Sequence, residues 1–230
     1  MTIYSVNKTT LLDYPGHVAC TVFTGGCNMR CIFCQNAPLV LCPEKEEVTP
    51  TEEFFSFLEK RKGILQGVCI SGGEPTLEDD LTRFMSEIKE RGLLVKLDTN
   101  GLRPRILEQI LKSDLADMVA MDIKSEPEDY PRITGISPES IGRVKESAAM
   151  LMESGIEYEF RTTVPGGVFS DENFEHIGQW LKGARAYYIQ AFRDSGACLA
   201  AGLKEPEDEE LERFCGIVGK YIPSACIRGR

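Results

Sequence analysis

Strand-like runs alternating with helical patterns predict an α/β fold built from parallel strands. Three observations carry this reading. Six short β-rich runs recur, at 17–24 (HVACTVFT), 67–71 (GVCIS), 93–98 (LLVKLD), 118–123 (MVAMDI), 157–163 (EYEFRTT) and 186–192 (AYYIQAF), each rich in apolar residues and bounded by turn chemistry. A helical pattern follows each run, and a strand followed by a crossover helix returns as a parallel neighbour. The polar and glycine-rich segments fall after the strand ends, where parallel α/β folds gather their chemistry. Six units are too few for an eight-unit barrel; they suit a doubly wound open sheet or an incomplete barrel.

The helices have readable limits. Thr49-Pro50-Thr51-Glu52 has the form of a capping box, with proline at the first helical position, ahead of Phe54, Phe57 and Leu58. Thr76 is placed to cap a second helix carrying Leu77, Leu81, Phe84, Met85 and Ile88, which stops at Gly92. A third covers about 105–111. The fourth starts near Ser137-Pro138 and ends at Gly155, and two more occupy about 171–182 and 207–219. The acidic stretch before the last reads as a solvated first turn favoured by the helix dipole. One domain over 1–230 is expected, with a core over about 13–195 and a terminal helix over about 205–220.

Composition excludes several function classes. The 230 residues carry 26 Lys+Arg against 36 Asp+Glu, a formal net charge of −10, which disfavours non-specific nucleic-acid or anionic-membrane binding. With 42% hydrophobic and 27% charged residues the chain is ordinary for a globular protein. No apolar run approaches the roughly 20 residues of a membrane helix, and the opening MTIYSVNKTTLLDYPG lacks a signal peptide's apolar centre. A cytoplasmic protein is expected.

Nine cysteines need an explanation, and only Cys27, Cys31 and Cys34 cluster. Cys20 and Cys69 lie inside apolar runs and read as small core residues, while Cys42, Cys198, Cys215 and Cys226 have no partner motif. CxxxCxxC supplies three soft thiolates in one loop. Structural zinc normally takes four protein ligands, and neither a second cysteine pair nor a histidine pair stands ready; His17 and His176 are the only histidines. Three thiolates suit a four-iron, four-sulfur cluster that leaves one iron open to an exogenous ligand. Gly25-Gly26 lets the backbone approach such a group closely.

CxxxCxxC after the run at 17–24, followed by Gly72-Gly73-Glu74-Pro75 at the end of the next, resembles the radical S-adenosylmethionine (SAM) superfamily. Asp13-Tyr14-Pro15-Gly16, Asp98-Thr99-Asn100-Gly101, Asp122-Ile123-Lys124 and Arg161-Thr162-Thr163-Val164-Pro165-Gly166 resemble, within it, the glycyl-radical-enzyme activating enzymes, and the opening is most similar to those that serve anaerobic ribonucleoside-triphosphate reductase. The resemblance implies a (β/α)6 partial barrel, a 4Fe-4S cluster on Cys27, Cys31 and Cys34, and SAM bound to the open iron. The reduced cluster then cleaves SAM to methionine and a 5′-deoxyadenosyl radical, which takes a hydrogen from a glycine of a partner enzyme. An electron donor such as flavodoxin or ferredoxin is implied as a second partner, and neither nucleic acid nor membrane is.

By the same resemblance Glu74, with the backbone of Gly72 and Gly73, meets the ammonium of SAM. Lys124 meets its carboxylate, Asp122 and Arg193 the ribose, and Phe33 the adenine. Arg161 belongs to the cofactor-binding set, as does Gln35, which stands where the group has histidine. Asp98, Thr99 and Asp122 resemble a monovalent-cation site, and Asp13 is placed to bind the partner's glycine loop. Two other readings stay open: the same radical chemistry on a small molecule or another peptide, or a non-catalytic metal module with Cys20 or Cys42 as fourth ligand.

Overall fold

A computed structural model of the chain describes residues 1–45, 47–194, 196 and 198–229. One sheet runs through it, with strands β1 (Ser5–Thr10), β2 (Ala19–Thr24), β3 (Gly67–Gly72), β4 (Leu94–Thr99), β5 (Met118–Asp122), β6 (Glu157–Val164), β7 (Tyr187–Ala191) and β8 (Cys226–Arg228). Their spatial order is their sequence order. A doubly wound sheet must reverse its strand order at a switch point, so this order selects the incomplete barrel. β2 to β8 are parallel and β1 is antiparallel to β2. The sheet is an unclosed partial barrel with β1 and β8 as its edges.

The six expected strands are β2 to β7. The two edge strands are additions to the sequence reading: β1 is mostly exposed and polar, and β8 has only three residues. The helices are α1 (Ala37–Leu41), α2 (Thr51–Lys60), α3 (Leu81–Glu90), α4 (Pro104–Lys112), α5 (Tyr130–Thr134), α6 (Ile141–Glu153), α7 (Asp171–Trp180) and α8 (Asp208–Val218). The expected capping box before α2 does not form: Pro50 takes the cap position and Thr49 donates its amide to the Ile3 carbonyl, bridging to the amino terminus. Thr76 does not cap α3 either. It sits in a 3-10 turn whose own cap is Glu74.

Strand alternation divides the barrel's two faces. Cys20, Val22, Val68, Ile70, Val95, Leu97, Val119, Met121, Tyr158, Phe160 and Ile189 point outward into one apolar core with the helices. That core is tied by aromatic pairs such as Phe54 on Phe84 between α2 and α3, and Phe174 on Phe214 between α7 and α8 with centroids 4.2 Å apart. The inward face is different. At the amino ends of the strands, Tyr14, Ala19, Met118 and Leu94 form a small separate apolar plug. Gly67 leaves room for Tyr14, whose ring would lie 2.9 Å from a Cβ at that position. Above the plug the inward positions become polar: Thr21, Cys69, Lys96, Asp98, Asp122, Glu159 and Arg161. The Asp13–Tyr14 segment thus closes the floor and the functional rim lies at the other end.

Candidate active site

The rim is built from two loops held together through their backbones. The Gly26 amide donates to Leu39, the Gly73 amide to Thr24 (2.9 Å) and the Glu74 amide to Gly26 (2.9 Å). A Cβ on Gly73 would lie 1.8 Å from the Gly26 carbonyl oxygen, so only glycine permits this approach. Gly72 adopts φ +116°, and a Cβ there would lie 2.3 Å from the Thr24 nitrogen. On its other side the cysteine loop is hung from α5, with Arg30 donating to Thr134 and Ile32 to Ile133.

Glu74 is buried beneath this junction and braces it. Its Oε1 accepts from the Thr76 amide (3.1 Å), the Thr76 hydroxyl (2.5 Å) and the Thr99 hydroxyl (2.8 Å), and its Oε2 from the Asn100 amide (2.7 Å). Burial raises its carboxyl above the usual carboxylate range, against these four donors. The carboxylate joins β3 to β4, and it reaches the cysteines through Asn100, whose side-chain amide donates to Asn28 Oδ1 (2.7 Å) and Cys27 Sγ (3.7 Å).

Around this brace lies a cleft of about 220 Å³. It brings together Cys27, Cys31, Phe33, Cys34, Gln35, Gly72, Gly73, Glu74, Asp98, Thr99, Asp122, Lys124 and Arg161, nearly the whole set expected from sequence. Its far wall is a charge network. Arg161 bridges both aspartates, with Nε to Asp122 Oδ1 at 3.1 Å and a terminal nitrogen to Asp98 Oδ2 at 3.3 Å; Lys124 Nζ meets Asp122 Oδ2 at 3.0 Å. Burial opposes the charge of each group, but the pairing outweighs it. Asp98 is held at about 2 by Arg161 and Lys96, Asp122 is lowered, and Lys124 and Arg161 are raised. Lys124 also lies 6.0 Å from the centroid of the Phe33 ring.

Two expected residues stand apart from the cleft. The Arg193 side chain is mostly exposed and pairs with Glu205 (2.6 Å), and only its carbonyl comes near, accepting from Gln35 Nε2 at 2.5 Å. Asp13 is half-buried and accepts from the Thr21 hydroxyl inside the barrel, well below the cysteine loop. Cys20 is in the outer core, and neither it nor Cys42 lines the cleft, which removes the fourth-ligand reading. Cys69 is fully buried, as expected, but on the other side of the sheet from Cys20: with Val68 and Ile70 outward it faces the barrel interior, 3.9 Å from Lys96 Nζ. The sequence reading assigned no contact to Asn36, Asn100, Met29, Thr163 or Gln190, which line the cleft, or to Lys96 behind it. Asn100 lies inside a motif that resemblance marked, Asn36 stands two residues past Cys34, and Lys96 is a charge in mid-strand; those were the available signals.

The sequence model of the Radical SAM superfamily matches residues 21–181, the span from β2 to α7 that builds this rim. The chain belongs to the radical SAM superfamily. Within it, the chain groups with glycyl-radical enzyme activating enzymes. It is 31% identical to a Methanocaldococcus jannaschii chain named as a putative enzyme of this kind, over 94% of this chain and 91% of that one, and 25% identical to the pyruvate formate-lyase 1-activating enzyme of Escherichia coli K12, over 95% of both. Among solved structures, Streptococcus suis SuiB bound to S-adenosylmethionine shares the fold, with TM-score 0.70 and 18% identity over 90% of this chain; the chain spans 49% of SuiB. No helix is long and apolar enough to cross a membrane among the described residues.

Radical SAM proteins use a 4Fe-4S cluster and SAM, and the residues here fit both. Cys27, Cys31 and Cys34 carry free thiols that line one cleft, with no fourth cysteine and no histidine among the described lining residues. Burial pushes the Cys31 thiol up to about 12 and raises Cys27, and the positive charge of a metal centre would oppose that effect and favour the thiolates. Donors are ready for such a ligand: Cys27 Sγ faces the Met29 amide at 3.4 Å and the Asn100 side chain. Cys27, Cys31 and Cys34 would hold such a cluster, which would supply the electron for cleavage of the SAM sulfonium.

Proposed function

We propose that this chain uses SAM cleavage to install a glycyl radical on a partner enzyme, and that the partner is anaerobic ribonucleoside-triphosphate reductase. The observation that carries the reading is the match, over 94% of this chain and 91% of the other, to a relative described as a glycyl-radical enzyme activating enzyme. A barrel whose cleft opens at the rim needs a lid, and a partner's glycine loop excludes water from it as radical chemistry requires.

The chain's own residues divide the work. Lys124 neutralises the carboxylate of SAM, and the Gly72–Gly73 backbone with the spare lone pair of Glu74 Oε2 receives its ammonium. Asp122 accepts from the ribose hydroxyls, and Phe33 lies against the adenine. Arg193, with its guanidinium held by Glu205, contributes through the carbonyl that orients Gln35. Flavodoxin or ferredoxin delivers the electron.

Mixing the reduced, cluster-loaded enzyme with SAM and the reductase should give an organic doublet in electron paramagnetic resonance. The match to the pyruvate formate-lyase 1-activating enzyme of Escherichia coli, over 95% of both chains, favours a second reading with that lyase as partner. Parallel reactions with both proteins decide between them. A doublet with neither would sink the activating role.

A further inference from the structure

We propose that the ammonium of Lys96 takes the place of a metal ion beside Asp98, so that SAM binding by this enzyme is independent of sodium and potassium. The sequence resemblance leads to the opposite expectation, a monovalent cation held by Asp98, Thr99 and Asp122. The residues present do not fit that ion. A hard cation needs several oxygens with lone pairs directed at it. Here Asp98 Oδ1 is taken by Lys96 Nζ at 2.5 Å, and Oδ2 by the Ser71 hydroxyl at 3.1 Å and by Arg161. Asp122 Oδ1 accepts from Arg161 and Oδ2 from Lys124, and the lone pairs left to it are those proposed above to meet the ribose hydroxyls. The Thr99 hydroxyl donates to Glu74 and accepts from the Gly101 amide.

Charge leads to the same result. The connected network holds the carboxylates of Asp98, Asp122 and Glu159 against the cations of Lys96, Lys124, Arg161 and Arg228, the last paired with both oxygens of Glu159. Each of these carboxylates is already paired with at least one cation, and Lys124 lines the cleft ready for the carboxylate of SAM. A further cation at the foot of a cleft would repel three charged groups within a few ångströms, with little water to screen them.

Lys96 is placed for this role by the strand itself. Leu94, Lys96 and Asp98 point inward on β4 while Val95 and Leu97 point into the outer core, and Lys96 is 1% exposed. Its lateral neighbours are Cys69 on β3 and Met118 on β5, neither a carboxylate. The side chain therefore rises along its own strand to Asp98, whose neighbour on β5 is the small Ala120. We class Lys96 as a positioning residue that sets the charge and orientation of Asp98 at the SAM site.

The inference rests on SAM binding and not on the identity of the partner enzyme, so its test uses no partner. SAM affinity of the cluster-loaded enzyme is measured by anaerobic calorimetry in sodium, potassium and choline chloride at one ionic strength, with retention of labelled sodium in equilibrium dialysis as a second readout. The wild type should bind within about twofold in all three salts and retain no stoichiometric sodium. Lys96→Met, similar in length but uncharged, should bind about tenfold more weakly in choline and recover most of that loss in sodium or potassium. A purely structural role for Lys96 would lower affinity equally in every salt, and that outcome overturns the proposal. So does a wild type that loses binding in choline or holds one sodium per chain, a result that stands even if the variant fails to fold.

Discussion

Gly73→Ala attacks the contact on which the whole rim depends. The added methyl would stand 1.8 Å from the Gly26 carbonyl oxygen and 2.7 Å from its carbon. Both are backbone atoms, so no side chain can rotate away, and reaching an ordinary contact moves the two loops apart by about 1.5 Å. That separation breaks the Gly73–Thr24 and Glu74–Gly26 hydrogen bonds, both 2.9 Å. Each is worth about 1 kcal/mol, and overpacking adds about 1–3 kcal/mol, for a total of about 3–5 kcal/mol. In a chain of this size that lowers the melting temperature by roughly 10 °C. The assay is anaerobic thermal unfolding of the apoprotein, paired with iron content after reconstitution, which should fall because the displaced loop carries Cys27. Gly142→Ala is the control: it sits on α6, where an added methyl would meet no atom within 4 Å, and should be neutral or slightly stabilising. If Gly73→Ala melts within about 2 °C of the wild type and takes up full iron, the account of the rim is wrong.

Cys27→Ala, Cys31→Ala and Cys34→Ala should each lose the roughly four irons of the reconstituted protein, whereas Cys198→Ala and Cys226→Ala should keep them; a full cluster in the triple variant refutes the ligand set. Lys124→Ala should retain iron yet bind SAM about tenfold more weakly in calorimetry, since it strips the counter-charge from a partly dehydrated carboxylate. Glu74→Ala should cost stability as well as SAM affinity, because it strands the buried donors of Thr76, Thr99 and Asn100 at about 1–3 kcal/mol each; unchanged urea unfolding would remove the bracing role. Asp98 has a lowered folded-state pKa, so its stabilisation is present above its ordinary value of 3.8 and is lost as pH falls toward about 2. This amounts to about 2 kcal/mol, and urea unfolding of the apoprotein across that window should show a flatter pH dependence in Asp98→Asn than in the wild type.

The parallel strands and the rim were legible because both leave strong local marks. GVCIS and MVAMDI are nearly continuous apolar runs, and the cysteine and glycine motifs sit just past strand ends. The edge strands were not legible. β1, with the sequence SVNKTT, buries little on either side, and β8 contributes only Cys-Ile-Arg, so neither shows a pattern that burial imposes. The interior network left a mark that was read only in part. In β6, Tyr158 and Phe160 face the core while Glu159 and Arg161 face inward, a period-two pattern with charges where a filled barrel would have aliphatic layers. Lys96 between Val95 and Leu97 shows the same pattern. Arg193 was misplaced because its distance from the strand centre says nothing of Glu205, which holds its side chain outside the cleft.

The transfer of hydrogen itself tests the central claim most directly. The partner reductase is prepared with its radical-site glycine deuterated at Cα and mixed anaerobically with the reduced enzyme and SAM, and the 5′-deoxyadenosine formed is weighed by mass spectrometry. The account predicts one deuterium in the nucleoside for each glycyl radical counted by electron paramagnetic resonance. Unlabelled 5′-deoxyadenosine at undiminished yield, with no radical on the partner, would contradict it.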